Sequence, residues 1–500
     1  MPNGKELYEL YKSNMHRIAD VRYATAVLQW DQETYLPPKG AATRGRQIST
    51  LSEIAHQLFS EESLGNLLQE LLSKDDLSAV EKRNVERTWE DYTKNKKYTS
   101  AFVRQLTEQI NKTFHAWIEA RKQNSFSLFE NDLQVLVRLK KEEAEILGYE
   151  HHPYNALLNE HEKGVTIELL DKTFTDLLPS LKILLENISA KPQIDDAFLK
   201  QFFPGQQQWN WGLFLIRQLG FDVEAGRQDK SEHPFTISFS AQDVRITTRI
   251  DERDFGNMTW SCIHEAGHAL YEQGLPEEQY GLPLGEACSF SIHESQSRLW
   301  ENNVGRSTEF WRYFYQVLQQ HFPDQFGIID ETSFYKAINK VEPALIRTEA
   351  DEISYHFHVY IRYQLERNLL DGTLDTKDIR AFWKEQYKKA MDIEVPDDKR
   401  GALQDVHWSH GSFGYFPTYS LGSFYAAQFY AKAQSDVPEL EVEISRGNLQ
   451  PLLQWLRSEI HAQGRYYTSE ELCEKVTAKT LDVSFFLDYI LEKYTGIYNL

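Results

Sequence analysis

Residues 235–271 read FTISFSAQDVRITTRIDERDFGNMTWSCIHEAGHALY, and their first part breaks the helical pattern of the chain. The first part, 235–250, is β-branched and alternating, which predicts two short strands with their turn near residues 240–242. Helical patterning resumes near Thr259, and helices are predicted over about 259–300. This stretch therefore predicts a small antiparallel β-sheet that leads directly into helices.

On either side of this stretch the chain has the periodicity of amphipathic helices. Apolar residues recur at helical spacing over residues 64–72 and again over 102–117, with polar residues on the opposite faces. Proline (16) and glycine (25) are sparse, and no linker, low-complexity tract or repeat divides the chain. We expect a single domain, residues 1–500, with a mainly α fold. It would be a large multi-helix body with a deep active-site groove and a small antiparallel sheet beside the helix that follows it.

The composition argues against several classes of function. Lys and Arg total 54 against 75 Asp and Glu, and the formal net charge of −21 repels a nucleic-acid backbone. Mean hydropathy is −0.55, and no apolar run is long enough to predict a membrane span. The N-terminus lacks the apolar core of a secretory signal, and three cysteines are too few for a disulfide framework. We expect a cytoplasmic protein that binds neither nucleic acid nor membranes.

The motif His264-Glu265-Ala-Gly-His268 carries the clearest chemical signal. Histidines four residues apart project from one face of a helix, and both imidazoles can reach one tetrahedral Zn²⁺. Glu265 lies about 100° around the helix, where it can act on water as a general base without being a ligand. Two hydrogen-bonded histidines on a helix face would give the same spacing, so the motif alone does not decide between these readings.

A catalytic zinc needs a third protein ligand and one open position. Four downstream side chains are candidates: Glu272, Glu286, His293 and Glu294. Glu272 is on the same helix as the histidines and too far along its axis. Spacing does not separate the other three.

Six short elements occur in an order that resembles the thermostable carboxypeptidase family, which comprises cytoplasmic H-E-x-x-H metallocarboxypeptidases of bacteria and archaea. The elements are WDQETYLPP (30–38), HPF (233–235), DVRIT (243–247), HEAGH (264–268), HESQ (293–296) and IRTEADE (346–352). The resemblance implies that Glu294 is the third ligand, beside His264 and His268. It also implies one Zn²⁺ (or Co²⁺) per chain, a homodimer, and peptide substrates with a free C-terminal carboxylate.

The resemblance predicts a zinc-dependent metallocarboxypeptidase of broad specificity in which Glu265 activates the metal-bound water. An oligopeptidase that cuts internal bonds of short peptides is the alternative within enzymes. A helical scaffold that binds zinc without turnover is the alternative outside them. The intact Glu265 argues against the scaffold, since a binding protein needs no general base.

The oxyanion of the reaction needs donors beyond the metal, and residues 407–419 contain several imidazoles and phenols. By analogy with distantly similar H-E-x-x-H peptidases, His410 and Tyr419 are predicted to serve, with His407 and Tyr415 as alternates. Aromatic core packing would give the same composition.

Recognition of a C-terminal carboxylate favours arginine, which donates two parallel hydrogen bonds. Arg347 and Arg245 lie in matched elements and are predicted to bind substrate, as is His233. Arg245 could instead form a structural ion pair with Asp243. An exposed edge of the predicted sheet could add the peptide as a further strand, which would fix its backbone without reading side chains.

Zinc-bound histidines need their second ring nitrogen held in place. Glu349, Asp351 and Glu352 are candidates for that role, although the same charges could form a solvated helix face.

Overall fold

The computed structural model describes residues 3–500, which contain 21 α-helices and three β-strands. None of the helices in this range is both long enough and apolar enough to cross a membrane. The helices are α1 Gly4–Thr34, α2 Ala41–Ser60, α3 Glu62–Leu72, α4 Ala79–Asn95, α5 Ser100–Gln123, α6 Ser127–Leu147, α7 Pro153–His161, α8 Ile167–Ser189, α9 Gly205–Leu219, α10 Phe255–Glu272, α11 Phe290–Arg298, α12 Thr308–His321, α13 Pro323–Phe326, α14 Glu331–Ile338, α15 Tyr355–Asp371, α16 Ile379–Met391, α17 Pro417–Asp436, α18 Leu440–Ser445, α19 Gln450–Glu459, α20 Ser469–Thr477 and α21 Ser484–Tyr498.

The mainly α fold is confirmed, and the helices begin where the sequence provides caps. Asn3 and Glu6 form a capping box at α1, and Ser78 and Glu81 form another at α4. The leucine stripe of α3 is buried as its period predicts. In α5 the predicted helix is present, but its buried face differs from the predicted apolar one: Gln109 and Thr113 are buried, whereas Val103 is exposed.

The small sheet contains strands β1 Gly226–Lys230, β2 Thr236–Ser240 and β3 Asp243–Thr248, in the order β1-β3-β2. The predicted hairpin is confirmed, because β2 and β3 pair antiparallel. A third strand, β1, pairs parallel with β3, so the sheet is mixed rather than purely antiparallel. Its sequence, GRQDK, has no β-branched residue and no apolar alternation, and β1 is ordered by its ladder to β3 instead of by propensity.

The chain forms two compact units, each assembled from three segments. The first unit comprises residues up to 96, 195–338 and 425–481, and the second comprises 97–194, 339–424 and 482–500. Because each unit draws on separated segments, no single cut in the sequence separates them. The single-domain assignment stays a prediction.

The first unit contains the sheet together with α10 and α11. Helix α10 packs against β2, β3, α9 and α11. Gly212 of α9 makes room for this contact, since a Cβ there would lie 2.8 Å from Cys262 Sγ and Met258 Sδ of α10. The helix that carries the H-E-x-x-H motif is thereby enclosed on several sides, which limits its freedom to shift.

Candidate metal centre

Helix α10 presents the two motif histidines from one face. Asp254 caps its first turn by accepting a hydrogen bond from the Gly256 N–H, and the helix runs unbroken through the motif. The ring centroids of His264 and His268 are 4.9 Å apart. The i, i+4 spacing therefore brings the imidazoles side by side, as the sequence predicts.

Glu294 of α11 lies opposite these histidines. Its Oε2 is 3.8 Å from His264 Nε2 and 3.6 Å from His268 Nε2. Within residues 3–500 these three side chains are the one group of His, Cys, Asp and Glu whose ligand atoms all lie within 4.8 Å of one another. Its other oxygen, Oε1, accepts a hydrogen bond of 2.7 Å from Arg298 Nε. One carboxylate oxygen thus faces both histidines while the other is held by an arginine.

Gly267 sets the separation between α10 and α11. A Cβ at this position would lie 2.6 Å from Ser297 Cα and 2.7 Å from the Gln296 carbonyl oxygen. Only glycine allows the two backbones to approach so closely. The short helix–helix distance brings Glu294 within reach of the histidines.

Both histidines are oriented through their Nδ1 atoms. His264 Nδ1 is 2.9 Å from Glu301 Oε2, and His268 Nδ1 is 3.0 Å from the carbonyl oxygen of His293. With Nδ1 engaged as a donor, Nε2 of each ring is left as the metal-binding atom. Burial lowers the pKa of His268 well below its usual value, which favours the neutral form that binds a metal.

Glu349, Asp351 and Glu352, which the sequence offered as candidates for this role, are not the groups next to the Nδ1 atoms. Asp351 accepts hydrogen bonds from Ser354, and Glu352 pairs with Lys493. The Nδ1 atoms already have partners, which lie on α11 and on the helical turn that continues it. Charge pattern alone does not show where a carboxylate points.

Glu301 is the orienting group that sequence reasoning missed. It lies on a π-helical turn, Leu299–Val304, that continues α11. Arg298 Nη1 is 3.3 Å from its Oε2, and Arg306 Nη2 is 3.5 Å from its Oε1. Although burial alone would raise it, Arg298, His264 and Arg306 hold the pKa of Glu301 far below its usual range. Its position seven residues after Glu294 is a signal that could have been read from the sequence.

The other candidates for the third ligand are engaged elsewhere. Glu286 is 3.2 Å from Arg465 Nη1. Glu272 and His293 pair with each other, with 2.8 Å between Oε1 and Nε2. Glu294 alone among the four approaches Nε2 of both motif histidines.

The Glu265 carboxylate lies beside the histidines but is not part of the three-residue group. Its side chain is 7% exposed, and its Oε2 accepts a hydrogen bond of 2.6 Å from Thr236 Oγ1 of β2. Burial raises the pKa of Glu265 above its ordinary value. A carboxyl group with a raised pKa is better suited to exchange a proton near neutral pH.

Two of the predicted substrate-binding residues, Arg245 and His233, lie in the first unit, and within residues 3–500 only Arg245 of the two forms an ion pair. Arg245 makes a two-point ion pair with Asp243, with both contacts at 2.9 Å, and its guanidinium lies 4.3 Å from the ring centre of Trp30. The structural pairing considered from the sequence is therefore present. His233 is exposed, and its carbonyl oxygen accepts a hydrogen bond from Ser231 Oγ.

Arg347 lies in the second unit, where it is 6% exposed. Its Nε donates to Asp405 Oδ1 at 3.0 Å, and Arg362 Nε donates to the other oxygen of the same carboxylate at 2.7 Å. Its guanidinium also lies 4.7 Å from the ring centre of Tyr419. Two buried guanidinium groups therefore share one carboxylate.

The histidines and tyrosines of residues 407–419 also lie in the second unit. Tyr419 pairs with the alternate histidine, since its hydroxyl is 3.1 Å from His407 Nε2. Burial and the nearby Arg347 lower the pKa of His407 to about 3. The ring of His410 packs on Phe114, 4.8 Å between centroids. The roles of His410 and Tyr419 stay predictions.

Comparisons with known proteins agree over almost the whole chain. The family model described as carboxypeptidase Taq (M32) metallopeptidase matches residues 10–494. The chain is 38% identical to thermostable carboxypeptidase 1 of Thermus thermophilus, with 95% of each chain covered.

Solved structures agree as well. The M32 carboxypeptidase of Deinococcus radiodurans has a TM-score of 0.97 at 36% identity, covering 99% of this chain and 100% of its own. A solved protein named CHT has a TM-score of 0.97 at 58% identity, covering 98% and 99%.

Proposed function

The chain belongs to the carboxypeptidase Taq (M32) family of metallopeptidases, and on that premise we propose that it is a carboxypeptidase whose metal is zinc, held by His264, His268 and Glu294. It hydrolyses the C-terminal peptide bond of peptides with broad specificity, and Glu265 is its general base. One Zn²⁺ binds per chain, with Co²⁺ as an alternative metal.

The observation that carries this proposal is the convergence of three ligand atoms from two helices. Oε2 of Glu294 faces Nε2 of both histidines at 3.6 and 3.8 Å. These separations are close to the ~3.3 Å expected between ligand atoms about 2.0–2.1 Å from a tetrahedral zinc. Two imidazoles and one carboxylate with oriented second nitrogens are the donor set of a catalytic zinc site, and three protein ligands leave one position open.

Bound zinc supplies Lewis-acid polarisation of the scissile carbonyl and acidifies water to a pKa of about 7. Glu265 accepts the proton of the attacking water and passes it to the leaving amine. Burial raises the pKa of Glu265, and a more basic carboxylate supports the first half of that role, which is to accept the proton. The hydroxyl of Thr236 holds one oxygen of this carboxylate.

Charge balance supports Arg347 as the group that binds the substrate's terminal carboxylate. Arg347 and Arg362 carry two positive charges, whereas Asp405, which bridges them, carries one negative charge. Burial lowers the pKa of His358 and of His407, so these neighbours are neutral. A buried excess of positive charge favours an anion, and the substrate carboxylate supplies one. The charge of Arg245 is already balanced by Asp243, so the case for Arg245 as a carboxylate-binding residue is weaker.

Strand β2 and the aromatic residues of 407–419 are the proposed contacts of the peptide backbone and of the oxyanion. Strand β2 is an outer strand of the sheet, which supports addition of the peptide backbone along it. Tyr419 and His410 are proposed to donate to the oxyanion, and the 3.1 Å contact between the Tyr419 hydroxyl and His407 Nε2 supports a fixed phenol that can donate its own proton when the Nε2–H is the donor of that contact.

We also propose a cytoplasmic homodimer, as the family resemblance implies. All three cysteines are buried thiols outside any disulfide, which suits a reducing compartment. Light scattering on the purified protein measures the oligomeric state directly.

Mass spectrometry of a peptide ladder tests the activity. The holoenzyme is expected to shorten free peptides one residue at a time from the C-terminus, and to leave matched peptides with an amidated C-terminus intact. Cleavage of both at internal bonds would favour the oligopeptidase alternative.

Glu265→Gln tests the base. It is expected to retain one zinc per chain and to lower kcat by about 10²–10⁴-fold with little change in KM, because an amide cannot accept the proton of water. A zinc-loaded variant with more than about a tenth of the wild-type kcat would show that Glu265 is not the base.

A further inference from the structure

Strand β2 contacts the motif helix through two hydroxyl groups. Thr236 Oγ1 lies 2.6 Å from Glu265 Oε2, and Ser238 Oγ lies 2.7 Å from Glu272 Oε2. Thr236 and Ser238 are two residues apart and therefore lie on one face of the strand. Glu265 and Glu272 are seven residues apart, about two turns, and lie on one face of α10. The strand runs beside the helix, so that the hydroxyl of Thr236 contacts Glu265 and the hydroxyl of Ser238 contacts Glu272.

The contact with Glu265 is the more consequential of the two. Within residues 3–500, Thr236 is the one side chain that donates a hydrogen bond to the Glu265 carboxylate, and it holds Oε2. The same hydroxyl lies 3.1 Å from the backbone carbonyl of Glu265, but it has a single proton and the carboxylate is the closer and charged acceptor. Oε1 is left available to accept a proton.

Thr236 is itself fixed by the hairpin. It pairs with Ile246 across β2 and β3. Beside it, the Phe235 N–H donates to Thr247 Oγ1 at 2.9 Å, and the Thr247 N–H donates to the Phe235 carbonyl oxygen at 2.9 Å. A β-branched side chain also has few rotamers, so the direction of its hydroxyl is restricted. The carboxylate is therefore held by a group that has little freedom to move.

We propose that Thr236 is a positioning residue for the reaction: its hydroxyl holds Glu265 Oε2 and leaves Oε1 directed to the attacking water. This inference rests on the proposed role of Glu265 as the base. It also assigns a purpose to the small sheet, whose hairpin carries the threonine. A hydrogen bond to a carboxylate restricts its rotation, and correct orientation of the base is required for proton transfer.

Ser238 offers a matched control on the same strand. Its hydroxyl makes the same type of hydrogen bond one pleat further on, but to Glu272, which His293 also holds through Nε2 at 2.8 Å. Loss of this hydroxyl leaves Glu272 with one partner and does not touch Glu265. Ser238→Ala is therefore expected to leave Glu265 in position and to lower kcat less than Thr236→Val does, whatever its effect on the KM of a peptide that binds along β2.

The test compares Thr236→Val, Thr236→Ser and Ser238→Ala as zinc-loaded full-length enzymes. Thr236→Val keeps the shape of the side chain and removes the hydroxyl. It is expected to lower kcat by about 10–100-fold, the effect of losing a hydrogen bond to a charged group, with KM within about threefold and one zinc per chain. Thr236→Ser restores the donor and is expected to recover most of kcat.

A double variant separates a positioning role from a general structural one. If Thr236 acts through Glu265, then Thr236→Val has no further effect on kcat in the Glu265→Gln background. The inference is overturned if Thr236→Val keeps kcat within threefold, if it loses zinc or unfolds, if Thr236→Ser is no better than Thr236→Val, or if the two substitutions act additively. Failure of the wild-type holoenzyme to cleave C-terminal residues would refute the proposed function instead, so the two failures are distinguishable.

Discussion

Gly267→Ala is expected to weaken zinc binding although residue 267 touches no ligand atom. The added Cβ would lie 2.6 Å from Ser297 Cα and 2.7 Å from the Gln296 carbonyl oxygen, whereas ordinary contact begins at 3.4 Å. Both obstacles are backbone atoms, so no side chain can turn aside. Helices α10 and α11 must separate by about 0.7–0.8 Å to admit the methyl group.

The separation acts directly on the metal ligands, because Glu294 is on α11 and the histidines are on α10. Its Oε2 is already 3.6 and 3.8 Å from the two Nε2 atoms, slightly wider than a tetrahedral zinc requires. A further shift of α11 places Glu294 Oε2 more than about 4 Å from both Nε2 atoms, and zinc can then bind only if it pulls the two helices back toward each other against the added methyl group. Overpacking of this kind costs about 1–3 kcal/mol, so the Kd for zinc is expected to rise about 5–150-fold.

Competition with a chelator of known affinity measures the zinc Kd of wild type and variant. Gly45→Ala on α2 is the control, because a Cβ there has no atom within 4 Å. It is expected to leave the zinc Kd unchanged and to stabilise its helix by up to about 1 kcal/mol. A zinc Kd within threefold of wild type for Gly267→Ala would refute the argument that the close helix approach sets the ligand spacing.

Three other results are expected. Chelation should abolish activity while circular dichroism retains most of the helical signal, since three ligands do not hold a core of this size together; global unfolding would make the metal structural. Elemental analysis should find that Glu294→Ala loses stoichiometric zinc while Glu286→Ala, whose carboxylate pairs with Arg465, keeps it; zinc retained by Glu294→Ala would place the third ligand elsewhere. Burial lowers the pKa of His461 to about 3. Below pH 6.5 this histidine is therefore protonated in the unfolded chain, whereas in the folded chain it stays neutral down to about pH 3. Stability is therefore lost as the pH falls from 6.5, and relative to His461→Gln the wild type should lose roughly 3 kcal/mol by pH 4; parallel pH profiles of unfolding would contradict this.

Features that depend on near neighbours in the chain could be predicted from the sequence. The i, i+4 histidines and the alternation of residues 235–250 are local patterns, and helix α10 and the β2–β3 hairpin follow them. Strand β1 escaped prediction because its polar residues are ordered by pairing with β3. The residues of β1 alone do not show that β3, a later segment of the chain, will pair with them and stabilise the strand.

In the candidate site, too, local patterns predicted some residues, whereas contacts in space set the roles of others. The choice of Glu294 over Glu286 or His293 came from resemblance, because spacing along the chain does not determine which side chains meet in space. The roles of Glu301 and Thr236 were not predicted, although both residues lie within hydrogen-bonding distance of motif residues. For Glu301 the spacing of seven residues from Glu294 was a signal in the sequence, whereas Thr236 had none. A carboxylate or hydroxyl acquires such a role from the direction of its side chain, and composition does not encode direction.

The helical class, the hairpin, and the pair of histidines with an adjacent glutamate follow from the sequence alone, because each arises from periodicity within a few turns or pleats. Three other features are visible only in the folded chain: α11 approaches α10 closely at Gly267, Glu301 orients His264, and Arg347 and Arg362 share Asp405. These contacts join residues that are distant in the chain or belong to different elements. Their existence depends on how the elements pack, and packing is set by the shape and burial of many side chains at once.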